Sequence, residues 1–555
     1  MRCGRGEGSS KTPRFRKDDE NMLTAKWGDR DFMRQGRSLA IGDRGLAATS
    51  HPLATQAALD TLKAGGNAVD AAIAAIALQG VVDPHMTGIG GDCFALYAPA
   101  GRAPIAIDGS GRTPAAAALD WFLERGMTTI ADDSVHAVTV PGAISAWCRL
   151  SADHGWLPLD DVLAPAIRAA EDGFVVTPRA GLDWARYADR ITRHGDGGTA
   201  YLPGGAAPAI GQRLNHPALA KTLRAIATHG AEGFYRGAVA DDIVHALRSR
   251  GGLMTQDDLA SYEAQYRQPI GADYRDHHML ECPPAGQGLA ALLILRLLEQ
   301  HDLSSIGLSE ADRIHLLAEA TKAAYRHRDA LICDPETAAV DVSGLLSDPM
   351  VAALSSKISL SKASEAGVFD MPVHRDTAYV CVADRDGNLI SFINSLFFAF
   401  GSGIYASESG VLLQNRGAGF RLIEGHPNAI APRKRPFHTI IPGLALKDGK
   451  PALALGVMGG QYQATGHAQI LTSVIDRGLD IQAASDLPRS FAFDGKLQLE
   501  PTIAEATVAD LKARGHDVTI VDEPLGGCQA IYVDHQRGVM FGATDHRKDG
   551  LALAL

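Results

Sequence analysis

One β-hairpin constrains this chain more than any other feature of its sequence. The run Thr377-Ala-Tyr-Val-Cys-Val-Ala383 reads as a strand, Asp384-Arg-Asp-Gly-Asn388 as a turn, and Leu389 to Ser395 as the returning strand. With the turn centred on Asp386, Ser395 stands opposite Thr377, within side-chain reach. The hairpin also marks a change of texture. From about 141 to 334 the pattern is mainly helical, including 288–299 and 310–333, with a break at Pro283-Pro284. After Val373 come β-type runs at 377–383, 389–394, 410–414, 452–457 and 530–533, interrupted by helical stretches within 469–487 and 503–514. Helices outside and strands within predict an α+β fold, a four-layer αββα sandwich.

At 555 residues the chain exceeds the size at which one core stops growing, so two lobes or one large layered unit are expected. Apolar residues at 46% and charged residues at 21% are ordinary for a globular protein. A net charge of −11 argues against nucleic acid or an anionic membrane as partner and for a small molecule. The cysteines show no CxxC spacing and read as reduced thiols, mostly small core residues. Residues 1–40 lack the apolar stretch of a secretory signal; they read as a disordered or misassigned leader, with Met33 as the natural start and a cytoplasmic location. The longest apolar run, 68–78, is broken by Asp70 and too short to span a bilayer.

A strand at Gly45–Thr49 leads into helices at 53–64 and 68–78, split by Gly65-Gly66-Asn67. Gly88-Ile-Gly-Gly91 then feeds a strand at 93–97, the reverse of the strand-glycine-helix order of a dinucleotide site. His277 and His278 are adjacent, and in a strand they point to opposite faces, a poor metal pair. No HExxH, GxSxG or Walker sequence occurs, and no cofactor or metal is expected.

The chemistry centres on Thr377. The stretch 367–376 before it is irregular and contains Pro372, as suits a segment exposed and strained for cutting. Attack of the Thr377 hydroxyl on the Asp376 carbonyl, then hydrolysis of the resulting ester, would free an α-amine on Thr377. Such an amine, with a pKa of roughly 7.7 to 8.0, can take up the hydroxyl proton near physiological pH, so the nucleophile carries its own base. On spacing alone, Thr377 as an ordinary strand former is the simpler reading.

A wider set of blocks decides the matter. His374-Arg-Asp-Thr377, Asp386-Gly-Asn388, Gly401-Ser-Gly403 and Glu408-Ser-Gly410-Val-Leu-Leu resemble the small-subunit start of γ-glutamyltranspeptidases. Ala48-Thr-Ser-His-Pro52, Gly65-Gly-Asn-Ala-Val-Asp-Ala71, Gly252-Leu-Met-Thr255, Lys434-Arg-Pro436, Gly459-Gly460 and Gly542-Ala-Thr-Asp545 follow in the family's order. The resemblance implies the N-terminal-nucleophile hydrolase form of the αββα sandwich. It implies cleavage between Asp376 and Thr377 into a large subunit, 41–376, mainly helical with sheet strands, and a small subunit, 377–555. The two would pair as a heterodimer, with further dimerisation left open. It further implies that Ser395 is the second hydroxyl assisting Thr377, and that Gly459 and Gly460 present N–H groups to the oxyanion.

The substrate side departs from the family. Ser110 stands where the family's carboxylate-binding Arg aligns, with Arg112 two positions on. His438 and Thr439 replace paired serines, Phe397 replaces an Asn, and Gln414-Asn-Arg-Gly-Ala-Gly419 replaces an Asn-Asn-x-x-Asp-Asp run. No carboxylate is then left for a buried α-ammonium, which would make glutathione a poor substrate. Arg416, with Arg112 as a second candidate, suits an acyl group bearing an anion and no ammonium, while Phe397 narrows the pocket or belongs to the core. The pattern resembles the branch that includes oxamate amidohydrolases. The expected function is an autoprocessing amidohydrolase that cleaves a small anionic, oxamate-like amide through an acyl-enzyme on Thr377. The alternatives are a γ-glutamyl hydrolase or transpeptidase acting on glutathione or γ-glutamyl amides, and a non-catalytic family member.

Overall fold

The computed structural model describes residues 36–194, 197–305, 307–365 and 377–555. Two seven-stranded sheets, antiparallel throughout, form its centre. The first runs Leu551–Ala554, Gly45–Thr49, Ala378–Asp384, Leu389–Ser395, Asp92–Ala98, Ile105–Gly109, Gln265–Arg267. The second runs Ala40–Gly42, Val539–Thr544, Gly527–Asp534, Lys450–Met458, Gly443–Lys447, His277–Glu281, Ile270–Tyr274.

Side-chain alternation sorts these strands into layers. In Ala378–Asp384, Tyr379, Cys381 and Ala383 join an inter-sheet core with Phe94, Leu444, Met458 and Ile531. Ala378, Val380 and Val382 point the other way, into the core shared with helices Pro52–Lys63 and Ala68–Val82. The outer face of the second sheet, with Leu453, Leu455 and Val457, packs on helices Gly288–Leu298 and Gln463–Ile475. The result is the expected αββα sandwich. Both hairpin strands are buried at every position, which is why they are largely apolar throughout rather than alternately apolar and polar.

The hairpin is docked by its own turn. Asp384 Oδ1 accepts the N–H groups of Asp386 and Asn388, both at 3.0 Å, and Oδ2 accepts Ala68 N at 2.9 Å, capping helix Ala68–Val82. Asn67 and Asp70 complete that cap as a reciprocal box, so Asp70 starts this helix rather than interrupting it. Fifteen residues long and buried all round, the helix has no polar face; its alanines let it lie close to its neighbours.

The structure differs from the expected pattern at several elements. Five strands, Phe174–Val175, Arg213–Leu214, Gln265–Arg267, Ile270–Tyr274 and His277–Glu281, lie inside the stretch expected to be mainly helical. The run at 410–414 keeps only Val411–Leu412 as strand, and 469–487 resolves into helices Gln463–Ile475 and Ile481–Asp486. His277 is buried and His278 exposed, as expected of strand neighbours. The cysteines of the described residues are free thiols, all buried except the intermediate Cys148. No described helix is long and apolar enough to cross a membrane.

One buried group ties stability to pH. His216, ahead of helix Pro217–His229, packs against Tyr201 at 4.9 Å and Phe174 at 5.6 Å between ring centroids. Its Nε2 has no hydrogen-bond partner among the described residues, and burial pushes its pKa down to about 4. The unfolded chain, with a His pKa near ~6.5, takes up this proton first. Stability is therefore full above about pH 6.5 and is lost as pH falls towards 4, by up to about 3 kcal/mol. Melting of the protein and of His216→Phe at pH 7.5 and 4.5 tests this: the variant should lose less of its midpoint between the two, and equal losses would refute it.

Candidate active site

The hairpin register places the first elements of the site. Ala378 pairs with Asn394, so one further step sets Thr377 opposite Ser395, and Ser395 in turn pairs with Asp92 on the next strand. By the alternation that sends Tyr379, Ile393 and Phe94 into the inter-sheet core, Thr377, Ser395 and Asp92 all face the gap between the sheets, at its end. All three are fully buried. Gln463 Nε2 lies 3.4 Å from Thr377 Oγ1, and Ser395 Oγ accepts Phe397 N at 2.8 Å. The glycines at 88–91 serve close packing: a Cβ on Gly91 would stand 2.4 Å from the Ser395 carbonyl oxygen, and one on Gly90 2.1 Å from that of Leu412.

Beside this row lies a buried cationic group. Arg416 opens the short helix Arg416–Gly419, is fully buried, and stacks over the Phe397 ring at 4.3 Å. Its Nη1 donates to Thr439 Oγ1 at 3.1 Å, and Nε stands 3.9 Å from Asp92 Oδ2. Neither Nε nor Nη2 has a hydrogen-bond partner among the described residues. Burial lowers its pKa to about 10, against the pull of Asp92, so it stays charged near neutrality. Phe397 holds φ at 83°, a left-handed conformation that costs a side-chain-bearing residue energy and occurs here in the wall of the site.

His438 and Asp92 form a buried pair. His438 Nδ1 lies 2.7 Å from the Pro436 carbonyl, which can only accept, so Nδ1 carries a hydrogen. Nε2 lies 3.0 Å from Asp92 Oδ2, a contact that requires another proton between imidazole and carboxylate. Burial holds the imidazole below its ordinary pKa, opposed by the bond to Asp92. Asp92 Oδ1 accepts Gly111 N at 2.9 Å.

Across the gap, strand Lys450–Met458 ends in Gly459 and Gly460, at φ 126° and 58°. Both are left-handed, which glycine adopts readily, and a Cβ on Gly459 would come within 2.8 Å of Gly526 Cα. The turn thus follows a strand whose Met458 shares the inter-sheet core with Tyr379, two residues from Thr377.

The structure corrects two expectations. Arg112 is committed elsewhere: it donates to Glu336 at 2.6 Å and to the Arg433 carbonyl at 2.8 Å, and none of its bonds or ion pairs reaches Thr377, Asp92 or Arg416. Burial of Glu336 is outweighed by the bonds from Arg112 and Arg267, which bring its carboxyl down to about 2. The expectation that no carboxylate remains overlooks Asp92, although its oxygens are already engaged by Gly111, His438 and Arg416. Sequence reasoning also missed Gln463 and Gln287. Asp376, the expected cleavage position, lies outside the described residues.

A group of metal-ligating residue types lies elsewhere: His315, Glu319 and His516. Glu319 already accepts Lys322 Nζ at 2.7 Å and Ser364 N at 3.1 Å, and an ammonium there opposes a cation. His315 bonds His516 at 2.8 Å and the Ser359 carbonyl at 2.7 Å, so the cluster fastens residues 359–364 to helix Glu310–Leu331.

The model of the gamma-glutamyltranspeptidase family matches residues 54–555. The chain is 36% identical over 528 residues to the glutathione hydrolase-like YwrD proenzyme of Bacillus subtilis, covering 93% of this chain and 99% of that protein. It is also 36% identical over 528 residues to the oxamate amidohydrolase proenzyme of Klebsiella pneumoniae, covering 92% and 98%. Among solved structures, the cephalosporin acylase from Bacillus halodurans superposes with a TM-score of 0.89 at 38% identity, covering 95% of this chain and 98% of that one.

Proposed function

The chain belongs to the gamma-glutamyltranspeptidase family, and from that premise we propose that it is an autoprocessing amidohydrolase whose nucleophile is Thr377 and whose substrate is a small acid amide. Thr377 Oγ1 attacks the Asp376 carbonyl, the acyl group moves from nitrogen to oxygen, and one water hydrolyses the ester to leave residues up to Asp376 and a fragment beginning at Thr377. The freed α-amine then takes the Oγ1 proton as the hydroxyl attacks the substrate carbonyl. N–H groups of Gly459 and Gly460 meet the oxyanion, Ser395 supports the nucleophile, and the α-ammonium returns its proton to the leaving amine. Water attacks the acyl-enzyme ester with the amine again as base, releasing the acid. The fold supports pairing of the two fragments, since Ala378–Asp384 sits between Gly45–Thr49 and Leu389–Ser395 in one sheet.

The observation that carries the substrate assignment is the buried Arg416, whose Nε and Nη2 have no hydrogen-bond partner among the described residues, beside Thr439 and Asp92. An unsatisfied buried guanidinium is costly, and a substrate carboxylate removes the cost with charge-assisted bonds. An α-ammonium would meet the opposite field, because Asp92 is already spent on Arg416 and His438. The amide therefore carries an anion and no ammonium, as oxamate does.

A matched set of p-nitroanilides tests this on the processed protein. Glutaryl carries the carboxylate, γ-glutamyl adds the ammonium, and butyryl has neither; oxamate is followed by ammonia release. Glutaryl should exceed both other anilides in kcat/KM by at least about tenfold, the equivalent of ~1.4 kcal/mol. A γ-glutamyl compound turned over faster than glutaryl, with oxamate untouched, would place the protein with the γ-glutamyl hydrolases instead.

A further inference from the structure

We infer that Gln287 is the positioning residue of the oxyanion turn, holding Gly459 and Gly460 of the small fragment from a loop of the large one. The inference rests on the acyl-enzyme reading but not on the identity of the acyl group. The loop after Cys282 runs beside the segment that carries His438 and Thr439: His438 N donates to the Ala285 carbonyl and Gln287 N to the His438 carbonyl, both at 2.9 Å. From its end the fully buried Gln287 sends its carboxamide across the site. Nε2 donates to the Thr439 carbonyl at 2.6 Å and to the Gly460 carbonyl at 3.0 Å, while Oε1 accepts Arg328 Nη1 at 2.9 Å. The amide has one orientation only. Reversed, its oxygen would face two carbonyl oxygens and its nitrogen a guanidinium.

The need for such a clamp follows from the turn's own sequence. Two adjacent glycines have no side chains to anchor them and more backbone freedom than any other pair, yet an oxyanion donor works only if it is held in place before charge develops. Tyr462 N donates to the Gly459 carbonyl at 3.1 Å, and Gln287 takes the Gly460 carbonyl, so both carbonyls of the turn are pinned. The same Gln287 nitrogen holds Thr439, whose hydroxyl receives Arg416 Nη1. One amide thereby sets the spacing between the oxyanion donors and the acid-binding guanidinium. Arg328, which fixes Gln287, is itself held over the rings of Tyr325 at 3.8 Å and Phe437 at 5.4 Å.

The experiment uses the full chain carrying Gln287→Leu or Gln287→Glu, assayed with glutaryl- and γ-glutamyl-p-nitroanilide. In Gln287→Leu, kcat on whichever anilide the wild type cleaves should fall by roughly 30- to 300-fold with KM changed far less. In Gln287→Glu, the ionised carboxylate offers neither carbonyl a hydrogen, and the protonated acid returns a donor. The kcat of Gln287→Glu relative to wild type should therefore rise as pH falls, a recovery that loss of packing alone cannot give. A crystal structure of Gln287→Leu should show the Gly459–Gly460 turn displaced. An unchanged kcat, a pH-independent loss in Gln287→Glu, or an unmoved turn would each overturn the inference. Should the wild type cleave neither anilide and release no ammonia from oxamate, the acyl-enzyme reading is what fails, and the displaced or unmoved turn still decides the role of Gln287.

Discussion

Thr377→Ala should yield a single uncut chain, where the wild type separates at Asp376/Thr377 into two fragments, and amide hydrolysis should fall by at least about 10³-fold. One substitution removes two functions. Without the hydroxyl nothing attacks the Asp376 carbonyl, and without that cut no α-amine forms to serve as base. The fold should survive, because Thr377 contributes one small buried side chain with Gln463 Nε2 at 3.4 Å and stands outside the strand Ala378–Asp384 whose pairings hold the sheet. Thermal melting should therefore stay close to that of the wild-type precursor. Thr377→Ser, which keeps a hydroxyl, should still split, more slowly. Denaturing electrophoresis and N-terminal sequencing read both results. A Thr377→Ala protein that still splits at this bond, or a wild type that never does, would remove nucleophile and base together and leave the chain a non-catalytic member of its family.

The architecture was legible where local pattern and burial agree. The hairpin could be counted directly: a short turn between two apolar strands fixes their register, and Ala378 does pair with Asn394 as the count requires. The strands Gln265–Arg267, Ile270–Tyr274 and His277–Glu281 were not legible. They are short, carry Gln, Arg, Asp and His, and lie at or near sheet edges, where partly solvated residues blur the period of two. Their place was decided by sheet partners distant in sequence.

The site divides in the same way. Thr377 and Ser395 lie on one hairpin that a linear reading can count, while the expectation for Gly459 and Gly460 came from the resemblance to the family. Asp92 touches His438 across 346 positions, and Gln287 touches Gly460 across 173. Such contacts leave no periodic trace. Asp92 did leave a faint signal: an acidic residue at the head of an otherwise apolar strand, straight after a glycine turn, buried without an evident partner. Arg112 shows the opposite error. Its position near Ser110 suggested a substrate role, but three arginines, Arg112, Arg267 and Arg435, converge on Glu336, and that ion network claims it.

Arg416→Met should separate binding of the substrate's acid from every other function of the site. Methionine approximates the volume of the arginine stem and keeps a contact with Phe397, so the wall of the pocket persists. Asp92 keeps its contacts with Gly111 N and His438 Nε2, so it is not left without partners. What disappears is the guanidinium, two of whose nitrogens have no hydrogen-bond partner among the described residues. Charge-assisted bonds to a buried carboxylate contribute about 1.5 to 3 kcal/mol each, so kcat/KM for glutaryl-p-nitroanilide or oxamate should fall roughly 100- to 1,000-fold. Butyryl-p-nitroanilide has no carboxylate to lose and should change less than about threefold, within the range of small packing effects. Self-cleavage, which involves only the chain's own peptide bond, should proceed. Arg416→Lys should recover only part of the loss, because an ammonium on a flexible stem cannot grip two carboxylate oxygens side by side. Equal losses on glutaryl and butyryl substrates would mean that Arg416 supports the architecture of the pocket rather than the acid, and the substrate assignment would fall with it.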